Sequence, residues 1–427
     1  MLRRLLLLTA AVLFLVGMGY RVRYRSIPVL ESSSDAHPIG AFHVHSVSSH
    51  DGHASLEEIA ADADALGLDF VVVTDHNRQL AGPIQIGHVT VLSYAELSTP
   101  FGHVIALGSH ELPDVEERER IGVVRRIRDL KGLPIATHPG DPKRPWDGPV
   151  AHLGGVEIAN LASSARRRGG PIFVGLLSTL LAYPINRDLA LAQIYDRDAR
   201  SLQRWDGESR PDFIGLCGTD AHGRPLPLKD NLRTWVVALE SPLPSAPEDR
   251  PRAVLMNLVG GRFHCAAGLF GMDPEFDFVA VSGGRRIAVG GGTTYASQID
   301  ALEIVSPRTS TDQPTLVLFR NGEEVMRTQE SFLRYAAPPI GTYRVEVRLA
   351  IPGVLFGYRV IPVIYSNRIR IRETPPPGLE LSPFGPAVPA TTPSAPMIPG
   401  LDAALEDVPG SLSPPSEPPS PRELPTP

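Results

Sequence analysis

The chain has 427 residues, of which 43 are proline, 39 glycine and 2 cysteine, and its formal net charge is -6. Two cysteines exclude a disulfide-stapled mini-protein. A single long apolar run excludes a polytopic membrane protein, and the mild negative charge excludes nucleic-acid binding through a broad basic face.

At roughly 150 residues per domain, the length predicts two or three folded units. Residues 1–26 hold the apolar run. Leu5–Tyr20 is uncharged, with Arg3 and Arg4 before it and Arg21, Arg23 and Arg25 after it. As a helix it is ~24 Å long, short of a hydrocarbon core of ~30 Å yet longer than most signal-peptide cores. An uncleaved signal anchor with the body exported is the preferred expectation. A secreted protein after signal cleavage is the alternative. Residues 27–38 read as a linker.

From Ile39 the texture becomes strand–helix alternation, which predicts a parallel sheet or barrel. Ser55-Leu-Glu-Glu58 is a capping box that opens a helix ended by Gly67. Phe70–Val73 is a continuous apolar run, as in a strand buried on both faces. Further strands are expected at Val89–Leu92, Val104–Leu107, Leu133–Ala136, Val156–Ala159 and Phe213–Leu216. Helices are expected at Glu116–Leu130, Phe173–Leu181 and Arg187–Gln203. Leu161–Arg210 reads as a mostly helical insertion. Cys217 lies on a strand, and burial is expected for it rather than pairing.

After Gly271 the period changes to two. "PTLVLFRNGEEV" carries the hairpin dipeptide Asn321-Gly322, and "GTYRVEVRL" alternates as a half-buried strand does. Residues 272–373 therefore predict a small antiparallel β-sandwich. Residues 374–427, with 17 of the 43 prolines, predict a disordered tail.

Histidines and carboxylates gather at the ends of the predicted strands. His43-x-His45 follows the first strand, and Asp51-Gly52 lies shortly beyond. Asp75-His76 ends the second strand and Glu96 follows the third. His103 opens "GHVIALG", His138 ends "LPIATHPG", and Asp220-x-His222 ends "FIGLCGTDAH". In α/β barrels the C-terminal strand ends build the active site. A mixture of imidazole and carboxylate suits zinc, manganese or iron rather than calcium.

The segments "FHVHSVSSHDGH", "VVVTDHN", "ATHPG" and "GTDAH", with "YAEL" and "GHVIALG" between the second and third, resemble the motifs of the polymerase and histidinol phosphatase (PHP) family. The resemblance covers about Ile39 to Gly271. It implies an α/β fold, a distorted seven-stranded (β/α) TIM-like barrel, with two or three divalent metals (Zn, Mn or Fe). It places one metal on His43, His45, Glu96 and Asp220. A second shares Glu96 and takes His103 and His138. A third takes Asp51, His76 and His222. Asp51 is favoured over His50, which sits where many members carry the aspartate, and His53 ranks third. Asp75, Asn77 and Asn160 are expected either to orient ligands or to make turn hydrogen bonds.

The implied activity is phosphoester hydrolysis by a metal-bridging hydroxide, with Glu96, Asp220 and His222 closest to the chemistry. Substrates implied are small phosphomonoesters, nucleotides or oligonucleotide 5′ ends, with no stable nucleic-acid partner. Arg144 and Arg224 are candidates to clamp phosphate, and "ARRRGG" from Ala165 is a sharper basic cluster. "GTYRVEVRL" and "PVIYSNRIRI" also resemble the module that follows the PHP domain in exported bacterial members. The competing expectation is an exported binding or scaffold protein of the cell envelope with an inactive or non-phosphate hydrolase barrel.

Overall fold

The computed structural model describes residues 2–373 except 35, 81, 110, 115, 117–121, 169–178, 211–212, 312 and 355. The expected tail, most of the expected helix Phe173–Leu181 and the early part of Glu116–Leu130 lie outside the described residues. The chain begins with α1 (Leu2–Arg23). Among the described residues no helix is long and apolar enough to cross a membrane.

The first half contributes β1 (Ile39–Val44), β2 (Phe70–His76), β3 (Ile84–Ile86), β4 (Val89–Thr99), β5 (Gly102–Leu107), β6 (Leu133–Ala136), β7 (Gly155–Asn160), β8 (Ile214–Gly218), β9 (Val236–Leu239) and β10 (Phe263–Ala266). Between β1 and β2, α2 (Leu56–Asp64) starts at the capping box. The Ser55 hydroxyl accepts from Glu58 N at 3.2 Å, and the Glu58 carboxylate accepts from Ser55 N at 2.8 Å. Its apolar stripe buries Ile59, Ala60 and Ala63.

The fold is mixed α/β, as expected, and the sheet does not close into the expected distorted seven-stranded (β/α) barrel. The strand path runs β9-β1-β2-β4-β5-β6-β7-β8 and then stops. β1, β2 and β4 are parallel, as are β6, β7 and β8, but β5 runs antiparallel to both neighbours. The reason is local. Strand β4 continues past Leu92 to Thr99 and reverses in a tight turn at Gly102, whose φ of +118° disfavours a side chain. The sheet curls until its edges approach. Thr219 N donates to Phe42 O, Ala221 N to His43 O, and His45 N to Ala221 O, around a single bridge between Val44 and Ala221.

Two further expectations are corrected. Cys217 is buried, but it is also paired, joining β8 to Cys265 on β10 with Cα atoms 6.0 Å apart. The helix expected over Arg187–Gln203 is two, Arg187–Ala192 and Ala199–Asp206. Asp198 caps the second by accepting from Ser201 N, and Asp196 and Asp198 together grip Arg167. Acidic side chains drawn to those partners break the helix between them.

The second half comprises β11 (Asp277–Ser282), β12 (Arg285–Val289), β13 (Thr293–Tyr295), β14 (Ala301–Val305), β15 (Thr315–Arg320), β16 (Glu323–Thr328), β17 (Phe332–Ala336), β18 (Gly341–Pro352), β19 (Tyr358–Ser366) and β20 (Ile369–Arg372). Four of these form a separate sheet in the order β12-β11-β14-β17. The others extend the large sheet, because β19 pairs with β10. One apolar cluster includes Phe263 and Cys265 together with Ile364 and Tyr365.

The halves are also tied by charge. Arg344 on β18 is buried, reaches Asp206 at 2.7 Å and Glu346 at 2.8 Å, and lies 4.1 Å over the Phe319 ring. Arg197 and Arg348 close on the same Glu346 carboxylate. Burial pushes the Glu346 carboxyl up, but Arg344 and Arg197 outweigh it and hold the group at about 2 against the usual 4.5. A depressed carboxyl stabilises the fold above its unfolded pKa, so this contribution is present at neutral pH and is lost as pH falls from 4.5 toward 2. Arg344→Ala takes one cation from the buried Glu346, which keeps Arg197 and Arg348, and removes the guanidinium from the half-buried Asp206, and is expected to cost about 1.5–3 kcal/mol at neutral pH. Urea unfolding at pH 7 measures it, and a loss under about 1 kcal/mol would show the network to be energetically idle.

Candidate metal centre

The strand ends deliver the histidines and carboxylates to one place. His43 is left out of the β1–β2 register as a bulge and has φ +67°. Bulges re-aim side chains, and here the following His45 is drawn to the β8 side by its backbone bond to Ala221. His76 ends β2. Glu96 sits opposite it inside β4, rather than after that strand as its sequence position suggested. His103 lies in β5, His138 just past β6, and Asp220 and His222 just past β8. His138 (φ +30°) and Asp220 (φ +52°) join His43 in the left-handed region. Each such residue costs on the order of 1–3 kcal/mol and persists only where its surroundings hold it.

The Glu96 carboxylate is the hub. Its Oε2 lies 3.5 Å from His43 Nε2, 3.5 Å from His45 Nε2 and 3.2 Å from His76 Nδ1. Its Oε1 lies 3.2 Å from His103 Nδ1 and 3.2 Å from His138 Nε2, and accepts from the Thr137 hydroxyl at 2.7 Å. Asp220 Oδ1 faces His43 and His45 at 3.5 and 3.6 Å. Asp51 Oδ2 faces His76 at 3.2 Å and His222 at 3.3 Å. The ligand atoms of three sets approach one another within 4.8 Å: His45, Asp51, His76 and His222; His43, His45 and Glu96; and His76, Glu96 and His103. His50, 73% exposed, lies to one side.

This arrangement fits divalent metal ions. His43 Nε2, His45 Nε2, His76 Nδ1 and His138 Nδ1 are buried without a hydrogen-bond partner among the described residues, a costly state for any polar atom. Two donors ~2.1 Å from a tetrahedral ion are ~3.4 Å apart, close to the nitrogen–oxygen distances just given. Two tautomers are fixed by their partners. His43 Nδ1 sits 2.5 Å from Glu157 Oε1, and His222 Nδ1 donates to Asp220 O at 2.8 Å, so each Nε2 is left toward the centre.

Electrostatics divides the imidazoles. Burial lowers His43, but Glu157, Glu96 and Asp220 raise it well above the ordinary value. Burial wins at His45 and lowers it. His138 is pushed up to about 9, the pull of Glu96 exceeding the effect of burial. Burial pushes Glu96, Asp51 and Asp220 up, yet the surrounding histidines hold all three carboxyls below their usual range. His45 stacks on His222 with ring centroids 4.3 Å apart and lies 5.1 Å from His43. Imidazoles this crowded cannot all carry protons, which favours ions as the compensating charge.

Several supports were not singled out from sequence. Glu157, buried in β7, accepts from the His138 backbone N at 2.6 Å as well as holding His43. Its one sequence signal is a carboxylate inside the apolar strand "GGVEIAN". Gly218 makes room for it: a Cβ there would sit 1.8 Å from Glu157 Oε1. Ser49 joins Asp51 to the His76 backbone. Asp75 does not orient an imidazole. It accepts from Ser46 N and Ser46 Oγ, both at 2.7 Å, and so fixes the loop after His45. Asn77 bonds Ser98 near the far end of β4, donating to its hydroxyl and accepting from its backbone N, whereas Asn160 braces Glu157 at 3.3 Å. Arg144 and Arg224 are exposed on the loops after His138 and His222. Within "ARRRGG", Arg166 pairs with Asp141 and Arg167 with Asp196 and Asp198, so these two arginines brace the loop around Gly140.

No protein-family model matches the chain, and no curated protein matches it. Among solved structures, the chain is similar to a two-domain protein containing a predicted PHP-like metal-dependent phosphoesterase from Bacteroides vulgatus, with 13% identity, a TM-score of 0.35, and coverage of 79% of this chain and 99% of that one. A likeness of that degree decides nothing about chemistry, which rests on the residues above.

Glu157→Gln keeps the shape of the support but removes its charge. It is expected to weaken metal binding by about 10–100-fold, read by competition with a chromogenic chelator. An unchanged affinity would make Glu157 a packing residue only.

Proposed function

We propose that the protein is a metal-dependent hydrolase of phosphoesters. The observation that carries this reading is His45 Nε2. It is buried, lacks a hydrogen bond among the described residues, and points at two carboxylates 3.5 and 3.6 Å away. In this reading His43, His45, Glu96 and Asp220 would hold one ion. Glu96, with His103 and His138, would hold a second, and Asp51, His76 and His222 a third. Divalent zinc, manganese or iron held there would supply Lewis acidity toward phosphoryl oxygens and would acidify water at neutral pH.

The chain's own groups do the rest. Glu157 keeps the His43 Nδ1 proton and so presents Nε2 to the centre. Asp220 O does the same for His222. Asp75 and Ser46 hold the backbone that carries His45. Arg224 and Arg144 are placed on the two loops from which a guanidinium can clamp a phosphate. The substrate class is a small phosphomonoester, a nucleotide or an oligonucleotide 5′ end. The Leu5–Tyr20 run and the Cys217–Cys265 bridge together support a body outside the cytoplasm, where disulfides persist.

The test is a phosphoester panel on the full chain loaded with manganese or zinc. Turnover is expected, to be abolished by EDTA and restored by either ion. His45→Ala is expected to lower kcat/KM by more than the ~10–100-fold typical of an outer partner such as Glu157. Bound metal without turnover on any phosphoester would move the activity to another ester or amide. No bound metal would overturn the reading altogether.

A further inference from the structure

The end of α1 carries a surface that the metal centre does not use. Three distant segments meet there. Asn186 donates to Val22 O at 2.9 Å and to Arg25 O at 2.8 Å, tying the helix end to the insertion. Beneath, Val22 packs with Ala182, Leu189, Ala190 and Val354 in a small buried cluster. Arg21 lies 5.5 Å over the Phe356 ring, and Arg25 lies 5.9 Å over Tyr358 while donating to Gly357 O.

Above that cluster the side chains are large, apolar and bare. Phe356 is 67% exposed, Tyr358 70%, Leu181 64%, Ile185 47%, Tyr20 67% and Tyr24 65%. Single exposed hydrophobics need no explanation, but a contiguous group rimmed by polar residues marks an interaction surface. The rim is cationic, with Arg21, Arg23 and Arg25 on the last turns of α1 and the segment after it.

The helix itself indicates the occupant. Val12, Leu13 and Val16 are 50%, 66% and 63% exposed, so these three apolar side chains of α1 are bare where it runs on from this face. A helix with such sides, ending in tyrosines and arginines, has the composition of a segment crossing from hydrocarbon into headgroups. Its uncharged run of ~24 Å is too short to span a core of ~30 Å and leave a spacer outside. The body must then lie against the lipid.

We propose that the face formed by Tyr20, Tyr24, Leu181, Ile185, Phe356 and Tyr358 rests on an anionic bilayer into which α1 inserts. The arginines meet lipid phosphates while the aromatic and aliphatic side chains sit at the headgroup boundary. The body is thus seated on the membrane in one orientation rather than tethered loosely beside it. This inference stands apart from the hydrolase reading, since it uses none of the metal-centre residues.

The test uses a fluorophore sensitive to polarity. Free cysteines are absent among the described residues, so Phe356→Cys offers a single reactive thiol. Glu323→Cys is the control. It lies in the hairpin beyond Arg320, which pairs with Tyr343 near the start of β18, ~30 Å along that strand from Pro352. Both positions are exposed, and near-UV circular dichroism checks that the labelled full chain stays folded.

With vesicles of phosphatidylglycerol and phosphatidylcholine, emission from position 356 is expected to shift to the blue and brighten. Position 323 is expected to be unchanged, and phosphatidylcholine alone is expected to give a smaller shift at 356. A protein that sediments with vesicles while position 356 stays water-like would overturn the proposal, since α1 alone would then hold it. An equal shift on phosphatidylcholine would overturn the role of anionic lipid. A blue shift without vesicles that grows with protein concentration would assign the face to a second copy of the chain and also overturn it.

Discussion

Everything in the first half answers to one buried carboxylate. Glu96 is 1% exposed and stands in the middle of a sheet. A carboxylate in that position must be compensated by cations or by hydrogen bonds on both oxygens. The chain gathers five imidazoles around it, divided between Oε1 and Oε2, and adds the Thr137 hydroxyl. Those imidazoles in turn need their far nitrogens fixed, and Glu157 does so for His43. The left-handed backbone at His43, His138 and Asp220 follows from the same demand. An ordinary strand end would send these side chains elsewhere.

The curl of the sheet is how the demand is met. Glu96 lies mid-path, His43 and His45 at β1, and Asp220 and His222 beyond β8 at the end of the path. Flat, these positions would be several strands apart at ~4.8 Å per strand. Curled, they share one centre. The edges need not be fully zipped. The bonds of Thr219 and Ala221 to the β1 backbone bring Asp220, which lies between them, against His43 and His45. A closed ladder would place regular pairing where the bulge at His43 has to be.

How far the sequence revealed this depends on the kind of interaction. The capping box at Ser55, the apolar run before His76 and the histidines at strand ends were legible because their signals are local. The extent of β4 was not. Residues 93–99 read as lying past the strand, yet Ser93–Glu96 pair with β2 and Glu96–Thr99 with β5, and no single window of sequence contains both sets of partners. Glu157 was passed over because an acidic residue in an apolar strand is a weak local signal until its partner is known. The Cys217–Cys265 pair depends on β8 and β10 lying near each other, which only the curl and the β9–β10 hairpin bring about. The break in the helix expected over Arg187–Gln203 has the same origin, since Asp196 and Asp198 serve Arg167 rather than their own turn.

The second half is part of the site's framework rather than an appendage. The open edge of β8 is covered by the Asn367 side chain, which accepts from Gly215 N at 3.0 Å, donates to Gly215 O at 3.2 Å and reaches Phe263 O. Next to it the buried Arg368 donates to the carbonyls of Trp205, Glu208 and Phe213. An uncovered strand edge is a liability, and this one leads directly into Asp220 and His222. Arg344 fixes the insertion helix from the same side through Asp206. The insertion in turn holds Arg167 and the Gly140 loop that follows His138. Side chains between 344 and 368 thus brace strand β8 and the insertion helix, the elements that lead into Asp220 and that hold Arg167. A change in that segment can therefore alter the centre without touching any of its own residues.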